Sequence, residues 1–194
     1  MDKHLTLHYS NGQVAYHLNF NIELISEQEI IRIWKGIEVY GAEGIFLTLD
    51  DGCASGFTQD WKDTLILCNT LRHLSSCGGV LAAQHFAQDG ELLFAAHCDS
   101  GLLHNVNGWA RIEYDYTGDL SRIEYWIRGL LHNICGASVI VYDGNGRVID
   151  CSYYLKGENI KADWFKELGM DIEKDFTDEI SRNMVLFRYA NHFS

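Results

Sequence analysis

The 194-residue sequence predicts an α+β fold: an antiparallel sheet built from β-hairpins, with two or three amphipathic helices packed on it. Short runs of alternating apolar residues flank Asn-Gly, Asp-Gly and Gly-Asn-Gly turns, which is hairpin patterning. Other stretches carry apolar residues three and four apart and end in glycine, which is helix patterning. No Gly/Ser linker or low-complexity segment divides the chain, so residues 1–194 read as a single domain.

The first hairpin follows from "HLTLHY" at 4–9, the Asn11-Gly12 turn, and Val14, Tyr16, Leu18, Phe20, Ile22 and Leu24 on one face. Ser26 stands three residues before Glu29, a capping box, and Ile30, Ile31, Ile33, Trp34 and Ile37 form an apolar stripe. A helix is expected there, ending near Gly41. "GIFLTLDDG" reads as a short buried strand entering a turn. Trp61, Leu65, Cys68, Leu71 and Leu74 then recur at helical spacing before Gly78-Gly79. Residues 80–98 give a second hairpin about Gln88-Asp89-Gly90. A strand follows with Ala110, Ile112, Tyr114 and Tyr116 on one side. Residues 119–136 are expected to be helical, with Leu120, Ile123, Trp126, Ile127 and Leu130 inward. Residues 137–155 form a third hairpin about Gly144-Asn145-Gly146. Beyond it come a helical turn at Trp164-Phe165, an acidic stretch at 171–179 and an apolar terminal strand at 182–193.

An αββ internal repeat is also read, residues 71–98 against 130–151. It aligns His73, Cys77, Gly78, Gly90 and Cys98 with His132, Cys135, Gly136, Gly144 and Cys151. On this reading His and Cys mark joints of the fold.

Composition narrows the function. With 47% apolar and 12% aromatic residues the chain can build a core. No apolar run is long enough to span a bilayer and the N-terminus lacks signal-peptide character, so a cytoplasmic location is expected, with no membrane partner. Six cysteines scattered through apolar elements read as buried thiols. The net charge is −12, and residues 1–60 hold nine acids against three bases. Such a surface is a poor partner for nucleic acid and a good one for a basic protein.

Three sites are read from these residues. The first is an acidic and aromatic window made by Glu38, Tyr40, Glu43, Asp50, Asp51, Asp60, Trp61 and Asp63. Its aromatics would anchor a basic partner and its carboxylates would steer it. The second is Cys53, after a strand and before a helix, as a nucleophile served by a His and an Asp; neighbouring Asp50 and Asp51 disfavour its thiolate. The third is a small metal-binding module using His73, Cys77, His132 or Cys135, against which their spacing counts. Gly144-Asn145-Gly146 lacks the helix and Lys of a phosphate loop.

A small, acidic, proline-free α+β domain without enzyme motifs resembles, in type and composition, the immunity proteins that bacteria pair with secreted toxins. The resemblance implies a non-enzymatic inhibitor without a cofactor that docks on a basic toxin domain, a nuclease being the natural target, and blocks its active site.

Overall fold

The structure is a computed structural model. It describes residues 3–21, 28, 46–48, 52, 55–57, 71, 73–76, 81–134 and 136–160. Strands β1 (Lys3–His8) and β2 (Val14–Phe20) form the first hairpin, and β3 (Phe46–Thr48) and β4 (Ser55–Phe57) pair as a separate two-stranded piece. Then comes a pattern used three times. A long hairpin, β5 (Ala83–Phe86) with β6 (Leu92–Ala96), is followed by a miniature one, β7 (Cys98–Asp99) with β8 (Leu102–Leu103). The pattern recurs as β9 (Arg111–Tyr114) and β10 (Leu120–Glu124), then β11 (Trp126–Ile127) and β12 (Leu130–Leu131). It closes with β13 (Val139–Tyr142) and β14 (Val148–Ser152), then β15 (Tyr154–Leu155) and β16 (Glu158–Asn159).

The long hairpins join side by side in one eight-stranded antiparallel sheet, ordered β1-β2-β5-β6-β9-β10-β13-β14. The predicted α+β architecture is therefore corrected to an antiparallel β architecture, with no helical element among the described residues. The expected helix at 119–136 is instead β10 followed by the β11–β12 hairpin. Its Ile123, Trp126, Ile127 and Leu130 fit helical spacing only because a strand and a tight turn share that span; Leu130 is exposed rather than inward. The helix expected at 58–77 does not continue to its expected end, since Leu74 bridges to Phe20 and the Ser75 amide donates to the Asn19 carbonyl. The helices expected from Ser26 and at Trp164-Phe165, and the terminal strand at 182–193, lie outside the described residues, apart from Gln28.

The repeat is real, but its unit is ββ plus a miniature hairpin, with a period of 28 residues. Gly90, Gly118 and Gly146 occupy equivalent turns, and Gly101, Gly129 and Gly157 occupy the equivalent miniature turns. The proposed alignment of 71–98 on 130–151 followed shared cysteines and is out of step with this period. His132 answers to His104, not His73, and Gly90 answers to Gly146, not Gly144. Each long turn is closed by the same bonds: the amide of Tyr9, Ala87, Asp115 or Asp143 donates to the carbonyl four residues on. In each, the glycine amide donates back. A three-residue loop with glycine at the left-handed position, and a bulge beside it, is the expected geometry for such turns.

Hairpin register puts Leu18, Ala83 and Ala96 in one cross-strand row and Tyr16, His85 and Phe94 in the next. These meet a second layer of Leu71, Leu74, Cys98, Leu103 and Trp126 to make the core. Ala82, Ala110 and Ser138, each wholly buried, mark the same position in successive units. Only a small side chain fits where the chain passes from miniature to long hairpin.

Candidate functional site

Because the four long hairpins alternate regularly in one sheet, their turns lie along the same end of it. That end carries Asp89 and Glu91, then Asp115 and Asp119, then Asp143, with Arg147 as the single basic residue of these long turns. Neighbouring turns are close: a Cβ on Gly118 would stand 3.4 Å from Glu91 Oε2. The aspartates also build the turns. Asp115 Oδ1 accepts from the Thr117 and Asp119 amides at 2.8 and 3.0 Å, and Asp143 Oδ1 from the Asn145 and Arg147 amides at 2.9 Å each. Hydrogen bonding from the Thr117 side chain above all, and then from turn amides, holds the Asp115 carboxyl below the usual range. Backbone bonds from Arg147 and Asn145 do the same for Asp143. Asp115 and Asp143 therefore keep their charge to lower pH than an ordinary aspartate.

On one face of the sheet, the register lines up Ala95, Ile112, Ile123, Ile140 and Cys151. A parallel row of Leu92, Tyr114, Leu120, Tyr142 and Val148 lies nearer the acidic turns. These side chains are mostly half-buried, and Val148 is exposed. The opposite face carries a compact ion network at the same strands. Glu124, 3% exposed, accepts from Trp126 Nε1 at 2.9 Å and Arg122 Nε at 2.6 Å, and Arg111 bonds Glu113 while lying 3.8 Å from Glu124. Its two cations balance its two anions, so it stabilises the sheet without presenting net charge.

At the sheet end away from the acidic turns, two loops with related sequences come together: His104-Asn-Val-Asn-Gly108 and His132-Asn-Ile-Cys-Gly136. Their histidines do the same work. His104 Nδ1 accepts the Arg128 amide at 3.1 Å, and His132 Nδ1 accepts the Lys156 amide at 3.1 Å, each tying one unit to the next. Their asparagines also match, Asn105 donating to the Trp109 carbonyl and Asn133 to that of Ala137. Between them lies a groove of about 510 Å³ lined by Val106, Tyr125, Ile127, His132 and Ile134, among others. Burial first, and then the Lys156 charge, push His132 below the usual imidazole range.

Most of the sequence-derived sites fall elsewhere. Glu38, Tyr40, Glu43, Asp50, Asp51, Asp60, Trp61 and Asp63 all lie outside the described residues, as does Cys53. Of the metal candidates, Cys77 and Cys135 also lie outside them. His73 has a buried Nδ1 with no hydrogen-bond partner among the described residues. His132 spends its Nδ1 on a backbone amide. No group of three metal-ligating side chains occurs among the described residues. Burial, aided by Asp99, pushes the Cys98 thiol up to about 12; burial and then Asp150 raise Cys151 as well. Neither is an activated thiolate. The acidic turns and the His-Asn loops were missed by sequence reasoning, although the 28-residue recurrence of "HN(V/I)xG" and of turn glycines was there to find both.

No protein-family model, curated protein or solved structure matches this chain. Among the described residues, no helix is long and apolar enough to cross a membrane.

Proposed function

We propose that this protein is a non-catalytic binding protein that docks a basic protein partner through its acidic sheet end. The observation that supports it is the regular row of carboxylates at Asp89, Glu91, Asp115, Asp119 and Asp143, repeated with the fold, with Asp115 and Asp143 held ionised by the turns themselves. Aligned charges of one sign speed encounter with an oppositely charged surface, and the adjoining apolar rows supply area for close contact. The acidic window from Glu38 to Asp63 belongs to the same reading as a second source of negative charge. A toxin-neutralising immunity protein is its specific form: the partner is a basic toxin domain, a nuclease above all, whose substrate channel the acidic end covers.

Titration of purified basic nuclease domains against this protein tests it. Expected are association that weakens steeply with salt and loss of nuclease activity in the complex. Replacing the five carboxylates by Asn or Gln should slow association at least about tenfold at low salt. The aspartates that cap turns keep an accepting oxygen in the Asn variants, so the fold survives the test. Absence of binding to every such domain at low salt overturns the reading.

A further inference from the structure

The hydrogen bonds that define the three repeated units also run through the first hairpin. The Asn19, His97 and Tyr125 amides donate to the Ala82, Ala110 and Ser138 carbonyls, each at 2.8 Å. Phe20 bridges Leu74 as Cys98 pairs with Leu103 and Trp126 with Leu131. The Ser75, His104 and His132 amides donate to the Asn19, His97 and Tyr125 carbonyls. The Gly101, Gly129 and Gly157 amides donate to those of Leu74, Leu103 and Leu131. The Asn21 amide extends the first of these ladders by donating to the His73 carbonyl at 2.9 Å. Phe20-Asn21 and His73-Leu74 are therefore the two sides of another miniature hairpin, and β1–β2 with it makes a first unit ahead of the three. In the later units two residues join the sides: Ser100-Gly101, Arg128-Gly129 and Lys156-Gly157. In the first, residues 22–72 join them.

We infer that residues 22–72 are an insertion at the tip of that miniature hairpin, and that the four-unit sheet is complete without it. The basic partner then docks on the sheet's own acidic end, a consequence that rests on the function proposed above. A hairpin tip tolerates added chain because the ladder behind it closes unaided, and loop-closure entropy rises only slowly with length. The insertion holds β3, β4 and Gly52, and it is seated as well as tethered. A Cβ on Gly52 would stand 2.7 Å from Trp126 Cζ3, and one on Gly129 would stand 3.4 Å from the Gly52 carbonyl oxygen. Both anchors lie on miniature hairpins, which follow the strand ends away from the acidic turns. The insertion's nine acids and four bases are thus a source of charge attached apart from the turn row.

Amide hydrogen exchange in the full chain tests the neck. The Asn21, Ser75 and Gly101 amides should exchange as slowly as His104 and Gly129, and exchange at unprotected rates overturns the insertion. A variant with residues 22–72 replaced by Ser-Gly, copying the Ser100-Gly101 tip, tests completeness. It should keep β-sheet circular dichroism and one cooperative urea transition, with a lower midpoint because Trp126 loses its contact with Gly52. It should also associate with basic nuclease domains no more than about threefold more slowly than the full chain, with the same sign of salt dependence. A variant that does not fold overturns the completeness of the sheet. A folded variant whose association slows by about tenfold or more moves the docking to the insertion and overturns that half. If the full chain itself captures no basic domain, the proposed function fails, while exchange and the variant's fold still decide the insertion.

Discussion

At the scale of single residues, the miniature hairpins store local strain. Ser100-Gly101, Arg128-Gly129 and Lys156-Gly157 each turn the chain with both residues at positive φ, Arg128 at 52° and Gly129 at 74°. Asparagine tolerates that region far better than arginine, so Arg128→Asn should stabilise the protein by about 0.5–1 kcal/mol, read as a shift in urea midpoint. The glycines are held more firmly. A Cβ on Gly52 would stand 2.7 Å from Trp126 Cζ3 and 2.7 Å from the Gly129 carbonyl carbon, at a φ of 74°. Gly52→Ala is therefore expected to cost about 2–4 kcal/mol, from a clash with backbone added to left-handed strain. An Arg-Gly or Lys-Gly pair is weak turn chemistry on paper, and only tertiary packing makes it a hairpin. That is why these turns were not legible as such.

At the scale of elements, the hairpins at 4–20, 80–98 and 137–155 were legible because alternation and a glycine turn coincide, and both sides of each turn pair with each other. Strand β9 was legible too, although Tyr116 belongs to the turn and is 88% exposed. Strand β10 was not. The face that carries the ion network presents Arg122 and the buried Glu124, two charges that look solvent-facing until their partners Arg111, Glu113 and Trp126 are known. Those partners come from the neighbouring strand and from the start of β11, so no local pattern could assign the face. Glu124→Leu should cost about 3 kcal/mol, since it leaves Arg111 and Arg122 without their shared counter-charge and Trp126 Nε1 without its acceptor. Comparison of thermal unfolding midpoints checks this. The acidic turns escaped notice for a related reason: their carboxylates are dispersed in sequence, and only the sheet gathers them.

At the scale of the whole molecule, histidines give stability a pH dependence. Burial lowers His85 to about 4; burial also lowers His97, and His17 is lowered by burial and by His8 and His4. His132 is lowered by burial and by Lys156. For each, the unfolded chain binds a proton more readily than the native one, so stability is fully present above the unfolded value of about 6.5. It is lost as pH falls from there toward the folded values, reaching about 4 for His85. Urea midpoints should be level between pH 7 and 8 and decline steadily from about pH 6.5 to about 4. His85→Phe, which keeps the stack on Tyr16 and the contact with Phe94, should flatten part of that decline. A midpoint that does not move across this range would contradict the burial of these rings.

The ion network has one further consequence. Arg111, Glu113, Arg122, Glu124 and Trp126 all fall within a single 28-residue unit, residues 110–137. Excising that unit removes both cations and both anions together and joins Trp109 to Ser138, which occupies the place of Ala110. Strand β6 would then meet β13 as it now meets β9, with Ala96 opposite Val139 instead of Arg111. A shortened chain lacking 110–137 should fold with unchanged β-sheet circular dichroism, whereas deletion of half the unit, residues 110–123, should not fold. Folding of the shortened chain would mean that the length can change by whole units, because the ion network closes within one.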